Sequence, residues 1–103
     1  MILLFLLLLT PFSIYPFFDA YKAAQAYKSG DFQQAQELYK EQLIENVNDG
    51  ATLFNSGDSS YRLGELETAH AYFSKAAEQL ADEDPLKVRA YFNACTVSFK
   101  KEQ

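Results

Sequence analysis

Shifted by 34 residues, the chain lies on itself: Tyr27 falls on Tyr61, Gly30 on Gly64 and Ala35 on Ala69. Near matches keep the same offset, with Lys28 on Arg62, Asp31 on Glu65, Phe32 on Leu66 and Tyr39 on Phe73. A further copy appears at a shift of 38, where Phe54, Asn55, Gly57, Ser60 and Tyr61 fall on Phe92, Asn93, Cys95, Ser98 and Phe99. The four extra residues lie in the Ala81–Pro85 stretch, where an insertion on a surface turn is tolerated. A spacing of this size marks a stack of supersecondary units, each of which buries its apolar face only against a neighbour.

The local pattern says what the unit is. Phe32, Ala35, Leu38, Tyr39 and Leu43 recur at steps of three and four, as do Leu66, Ala69, Tyr72, Phe73, Ala76, Ala77 and Leu80. Gly30 and Gly64 stand where a left-handed residue ends a helix. Asp31 and Glu65 follow them and put a carboxylate at the next helix start. Asp84-Pro85 reads as an N-cap followed by proline in the first turn. The pattern predicts five helices, about Phe17–Lys28, Asp31–Asn46, Gly50–Arg62, Glu65–Leu80 and Pro85–Lys101. No stretch alternates with period two, so the fold class is all-α: a helix-turn-helix solenoid of about two and a half copies, near 16–49, 50–83 and 84–103.

Residues 1–18 stand apart from this 19–103 repeat domain as an apolar signal or anchor segment. Ile2–Phe18 carries no charge and spans roughly 25 Å as a helix, a little short of the hydrocarbon core of a bilayer. Pro11 and Pro16 bend or end such a helix. An uncleaved anchor, a cleaved signal peptide and the tail of a longer membrane segment all fit. No Lys or Arg precedes the run and no small-x-small cleavage site follows it closely, which favours an anchor. Lys22 and Lys28, taken alone, favour a cytoplasmic repeat domain.

The net charge of -5 and the absence of a basic stripe exclude phosphate-backbone binding, hence nucleic acid. The single cysteine, Cys95, excludes an internal disulfide. It occupies the small-residue position shared with Ala23 and Gly57, and packing between helices is its expected role. His70, the one histidine, has no second His or paired Cys to share a metal and is expected to face solvent. No Ser-His-Asp set and no phosphate-cradling glycine loop is present, so neither an enzyme nor a cofactor is expected.

These residues resemble the tetratricopeptide repeat. Small residues at Gly57, Ala69 and Ala76 and large apolar ones at Leu53, Leu66 and Phe73 follow its pattern in the second copy, and Ala23, Phe32, Ala35 and Tyr39 follow it in the first. The departures are Gln42 where a small residue belongs, aromatics displaced by one to Tyr27 and Tyr61, and no proline at the usual place, although Pro85 lies just beyond. The segments Leu53–Asp58, Tyr61–Gly64 and Tyr91–Asn93 are similar to tetratricopeptide proteins of bacterial Bat (aerotolerance) operons. That narrower resemblance implies a membrane-anchored, periplasmic repeat domain near a von Willebrand A domain membrane protein. An exported soluble or a cytoplasmic-facing domain stays open beside it.

The resemblance implies a protein–protein interaction scaffold whose first helices line a concave groove. Tyr27, Lys28, Phe54, Asn55, Asp58, Tyr61, Arg62, Phe92 and Asn93 are the groove residues carried over, with Ala20, Ala24 and Thr96 beside them. The asparagines suit hydrogen bonds to a peptide backbone, the aromatics flat apolar contact, and Lys28 and Arg62 an acidic partner. Against this stands the plainer reading, that the asparagines cap turns and the aromatics fill the core. Ala20 and Phe54 stand where co-chaperone repeats carry a clamp lysine, so chaperone C-termini do not fit. The last helix carries Val88, Tyr91, Phe92, Cys95, Val97 and Phe99, too many for one narrow stripe. Its edge is expected to stay partly apolar and to be covered by another chain, by a self-dimer, or by sequence missing from a truncated reading frame; a structural subunit that assembles through that helix in place of the groove is the alternative function.

Overall fold

The computed structural model describes residues 18–103, and the apolar segment 2–17 lies outside the described residues. α1 runs from 18, the first described residue, to 28. It is followed by α2 (Phe32–Glu45), α3 (Gly50–Arg62), α4 (Leu66–Gln79) and α5 (Pro85–Lys101). Among the described residues five helices pack in a repeat-like stack, and the end of α1 and the bounds of α2–α5 agree with those expected from periodicity to within a residue or two. Among the described residues there is no strand, and no helix is long and apolar enough to cross a membrane.

The two short turns are built alike. Gly30 and Gly64 adopt φ of 82° and 78°, a conformation that costs a side-chain-bearing residue energy. The next residue reaches five back in each case, Asp31 N to Ala26 O and Glu65 N to Ser60 O, at 2.9 and 3.0 Å. Asp31 then caps α2 by accepting from Gln34 N at 3.1 Å. Glu65 makes no cap bond to α4; its carboxylate instead accepts from the Gln36 side chain at 2.8 Å. Asp84 caps α5 through Leu86 N, and Lys87 donates to the Leu80 carbonyl at the end of α4 at 2.9 Å. These contacts set α5 antiparallel to α4, with Lys101 near Glu67 at its far end.

Small residues let the helices approach. Ala35, Ala69, Ala76 and Ala77 are fully buried, and a Cβ on Gly57 would stand 2.7 Å from the Phe73 ring. The larger core joins α3, α4 and α5 around Leu53, Phe54, Phe73, Ala90, Ala94 and Val97. A smaller one joins α1 and α2 around Ala23, Ala35 and Tyr39. The seam between α2 and α3 is polar: Gln36, Thr52, Ser56, Ser59 and Ser60 are buried there. Gln36 donates to Ser60 Oγ at 3.0 Å and Ser56 to the Thr52 carbonyl at 2.8 Å. Gln42 Nε2 and Ser59 Oγ are buried with no hydrogen-bond partner among the described residues.

Gln42 stands where the second copy has the fully buried Ala76. A stranded amide costs its desolvation, about 1–3 kcal/mol. Gln42→Met keeps the length and removes that amide, so it is expected to raise stability by about 1 kcal/mol and Tm by about 4–8 °C. A thermal melt followed by circular dichroism that shows a lower Tm would contradict the reading of this seam.

Candidate functional site

The inner sides of α3 and α5 enclose a hollow of about 180 Å³. Asp58, Tyr61 and Arg62 from α3 face Phe92, Asn93 and Thr96 from α5, over a floor made by Phe73 and Val97. Each of these positions follows from helical spacing: 58, 61 and 62, and 92, 93 and 96, fall on one side of their helices. A cleft that receives a drug-sized cofactor is larger, from about 300 Å³ upward. This one has room for one or two side chains of a partner.

Its charge is mixed and asymmetric. Burial pushes the Asp58 carboxyl above the usual range, and the guanidiniums of Arg89 and Arg62 pull it back. Around it the cations lie on aromatic faces: Arg89 over Phe54 at 5.1 Å, Lys100 over Tyr61 at 5.0 Å and Arg62 over Phe32 at 5.9 Å. Lys100 also donates to the Tyr61 hydroxyl at 3.1 Å. An acidic protein thus gathers Arg62, Arg89 and Lys100 along one face, with a partly desolvated acceptor, Asp58, among them.

Five of the nine expected groove residues, Asp58, Tyr61, Arg62, Phe92 and Asn93, come together in this cleft. Asn55 is half-buried on α3 but does not line it, and Lys28 is exposed at the end of α1. Tyr27 packs edge-on against Phe32, ring centroids 5.2 Å apart. Phe54 is a correction: it is 3 % exposed, edge-on to Phe73 at 5.4 Å and capped by Arg89, so it belongs to the core. Thr96 lines the cleft, whereas Ala20 borders a separate depression beside Asp19, Gln42 and Asp49.

Cys95 is a second correction, for it is exposed. The position it shares with Gly57 is buried on α3 only because α4 lies against it, and no described helix lies against that face of α5. His70 is half-buried. Among the described residues no three His, Cys, Asp or Glu side chains converge on a point.

Arg89 and Lys100 escaped the sequence reading, and Phe73 and Val97 were read there as apolar helix positions and not as part of a site. Lys100 carried a signal: it stands 38 residues after Arg62, which stands 34 after Lys28, so it is the third member of that cationic series. Arg89 had none, since its counterpart on α3 is Ala51. No protein-family model matches the chain, and no curated protein matches it.

Proposed function

We infer that this chain is a protein-interaction module of the tetratricopeptide kind, which holds a short acidic peptide segment in the cleft between α3 and α5. The observation that carries this is the cleft itself: an open hollow with an apolar floor, rimmed by Asn93, Thr96 and Asp58 and flanked by three cations on a chain of net charge -5. Phe73 and Val97 suit an apolar side chain of the peptide, and Asn93 and Asp58 suit its backbone amides. Arg62, Arg89 and Lys100 favour carboxylates on it. No catalytic step is part of this reading.

The apolar Ile2–Phe18 run supports a membrane tether for the module, and the Bat-type resemblance supports a periplasmic setting beside a von Willebrand A domain protein. A specific observation favours a second reading, assembly through the outer face of α5. Val88, Tyr91 and Phe99 are 53–70 % exposed there.

The test is a displayed library of nine-residue peptides selected on the full chain in neutral detergent. Acidic sequences with one large apolar residue are expected. Their affinity should fall at least tenfold, or about 1.4 kcal/mol, on Tyr61→Ala and on Asn93→Ala, and should weaken with added salt. Selected peptides that ignore both substitutions but are lost on Val88→Glu would reject the cleft and favour assembly.

A further inference from the structure

Four polar side chains besides Arg62 line the cleft between α3 and α5, and two of them are already engaged. The Thr96 hydroxyl donates to the Phe92 carbonyl at 2.9 Å, and the Tyr61 hydroxyl accepts from Lys100 at 3.1 Å. Arg62 is exposed at the rim and lies over the Phe32 ring, 5.9 Å from its centroid. That leaves the Asp58 carboxylate and the Asn93 amide. Among the described residues neither takes part in a side-chain hydrogen bond, and no cation comes within ion-pair distance of Asp58.

Both lie below the rim. Asp58 and Asn93 are half-buried, whereas Arg62, Phe92 and Thr96 around them are exposed and Phe73 and Val97 beneath them are fully covered. Burial is what raises the Asp58 carboxyl, and Arg89 and Arg62 offset it only from beyond contact. A carboxylate in that state gains from any donor that reaches it, because its hydration is reduced and it accepts no bond in exchange.

The surroundings narrow what that donor is. Arg62 and Arg89 act on Asp58, and Lys100 stands over the neighbouring Tyr61 ring, so an incoming ammonium or guanidinium meets more positive charge than negative. A small hydroxyl or amide side chain leaves the apolar floor of Phe73 and Val97 and the Phe92 ring uncovered. A ring with a polar tip meets both demands. The tyrosine phenol donates to Asp58 and accepts from the Asn93 amide at once, whereas the tryptophan N–H only donates and leaves that amide unmatched. The second Asp58 oxygen and the Asn93 carbonyl stay available to backbone amides of the same peptide.

We propose that the cleft selects an unmodified tyrosine within the acidic segment. Its ring lies on Phe73 and Val97, and its hydroxyl donates to Asp58 and accepts from Asn93. This rests on the cleft reading and deepens it: the large apolar residue of the peptide is a tyrosine, and Asp58 is the residue that decides specificity. Phosphorylation of that tyrosine abolishes the fit, since the phosphate dianion meets the half-buried Asp58 carboxylate.

The test is a fluorescence-anisotropy titration of the full chain in neutral detergent. The probes are labelled nine-residue peptides of glutamate and serine that differ only at the central residue: tyrosine, phenylalanine, tryptophan, phosphotyrosine or alanine. The tyrosine peptide is expected to bind about tenfold or more tighter than each of the others, because a site built for a hydroxyl rejects the analogue without one. In Asp58→Ala the preference for tyrosine over phenylalanine should fall to about twofold or less, while the phenylalanine peptide binds no more weakly than before. A purely structural role for Asp58 would instead weaken both peptides alike and overturn the assignment. Equal binding of the tyrosine and phenylalanine peptides, both lost on Tyr61→Ala, would leave the cleft reading standing and overturn the tyrosine anchor. Preference for tryptophan or for phosphotyrosine would overturn it too. Binding by none of the peptides at millimolar concentration, or by all of them equally, would reject the cleft reading and the anchor together.

Discussion

Phe73→Ala should cost about 3–5 kcal/mol of unfolding free energy, the usual range for emptying a packed aromatic site. Phe73 is the largest side chain among those fully buried, at 1 % exposure. Its ring meets Phe54 edge-on at 5.4 Å, lies against the bare Cα of Gly57 and floors the cleft. None of those neighbours can close the gap: Phe54 is held by Arg89, and Gly57 has no side chain to bring in. A domain of this size is stable by roughly 4–13 kcal/mol, so the loss is a large share of the total. Urea unfolding followed by circular dichroism measures it. A loss under about 1 kcal/mol would mean that α3 and α4 do not meet through this ring. Phe92→Ala is the internal control: with Phe92 70 % exposed, its effect should stay within about 0.5 kcal/mol.

Gly57→Ala is expected to destabilise by up to about 2 kcal/mol, against the ordinary helix preference for alanine. The added methyl would sit 2.7, 2.8 and 3.0 Å from three atoms of the Phe73 ring, which is itself packed on its other side. Three contacts at or under 3.0 Å put the overpacking in the upper part of its usual range of about 1–3 kcal/mol, above the helix-propensity gain of about 1 kcal/mol. The decisive measurement is the double variant. In the Phe73→Ala background the methyl has space, so the same substitution should become stabilising by about 1 kcal/mol. A sign that does not change would show that the ring is not what excludes the side chain, since only directly touching residues couple in this way.

The same contact explains what could be read in advance and what could not. Helix bounds, the left-handed glycines and the caps at Asp31 and Asp84 are local matters, decided by spacing and by single-residue conformational cost. They were legible without knowing any neighbour. Of the site, Tyr61, Arg62, Asp58, Phe92 and Asn93 were legible because the repeat places equivalent residues on equivalent helix faces. Lys100 was within reach as the next copy of Arg62. Arg89 was not, because it enters the cleft region by lying on Phe54, a contact between helices that no spacing within one helix contains.

Phe54 and Cys95 show the limit most plainly. Both sit at repeat positions whose partners at the 38-residue spacing behave differently: Phe54 is buried and Phe92 exposed, Gly57 buried and Cys95 exposed. Residue type and period are the same kind of information at each pair and cannot separate them. The sequence by itself determined the helices, their turns and which faces correspond from copy to copy, because these depend on near neighbours along the chain. Which of those faces is core, which is cleft and which stays open was decided only in three dimensions, because burial belongs to the helix lying opposite and not to the residue itself.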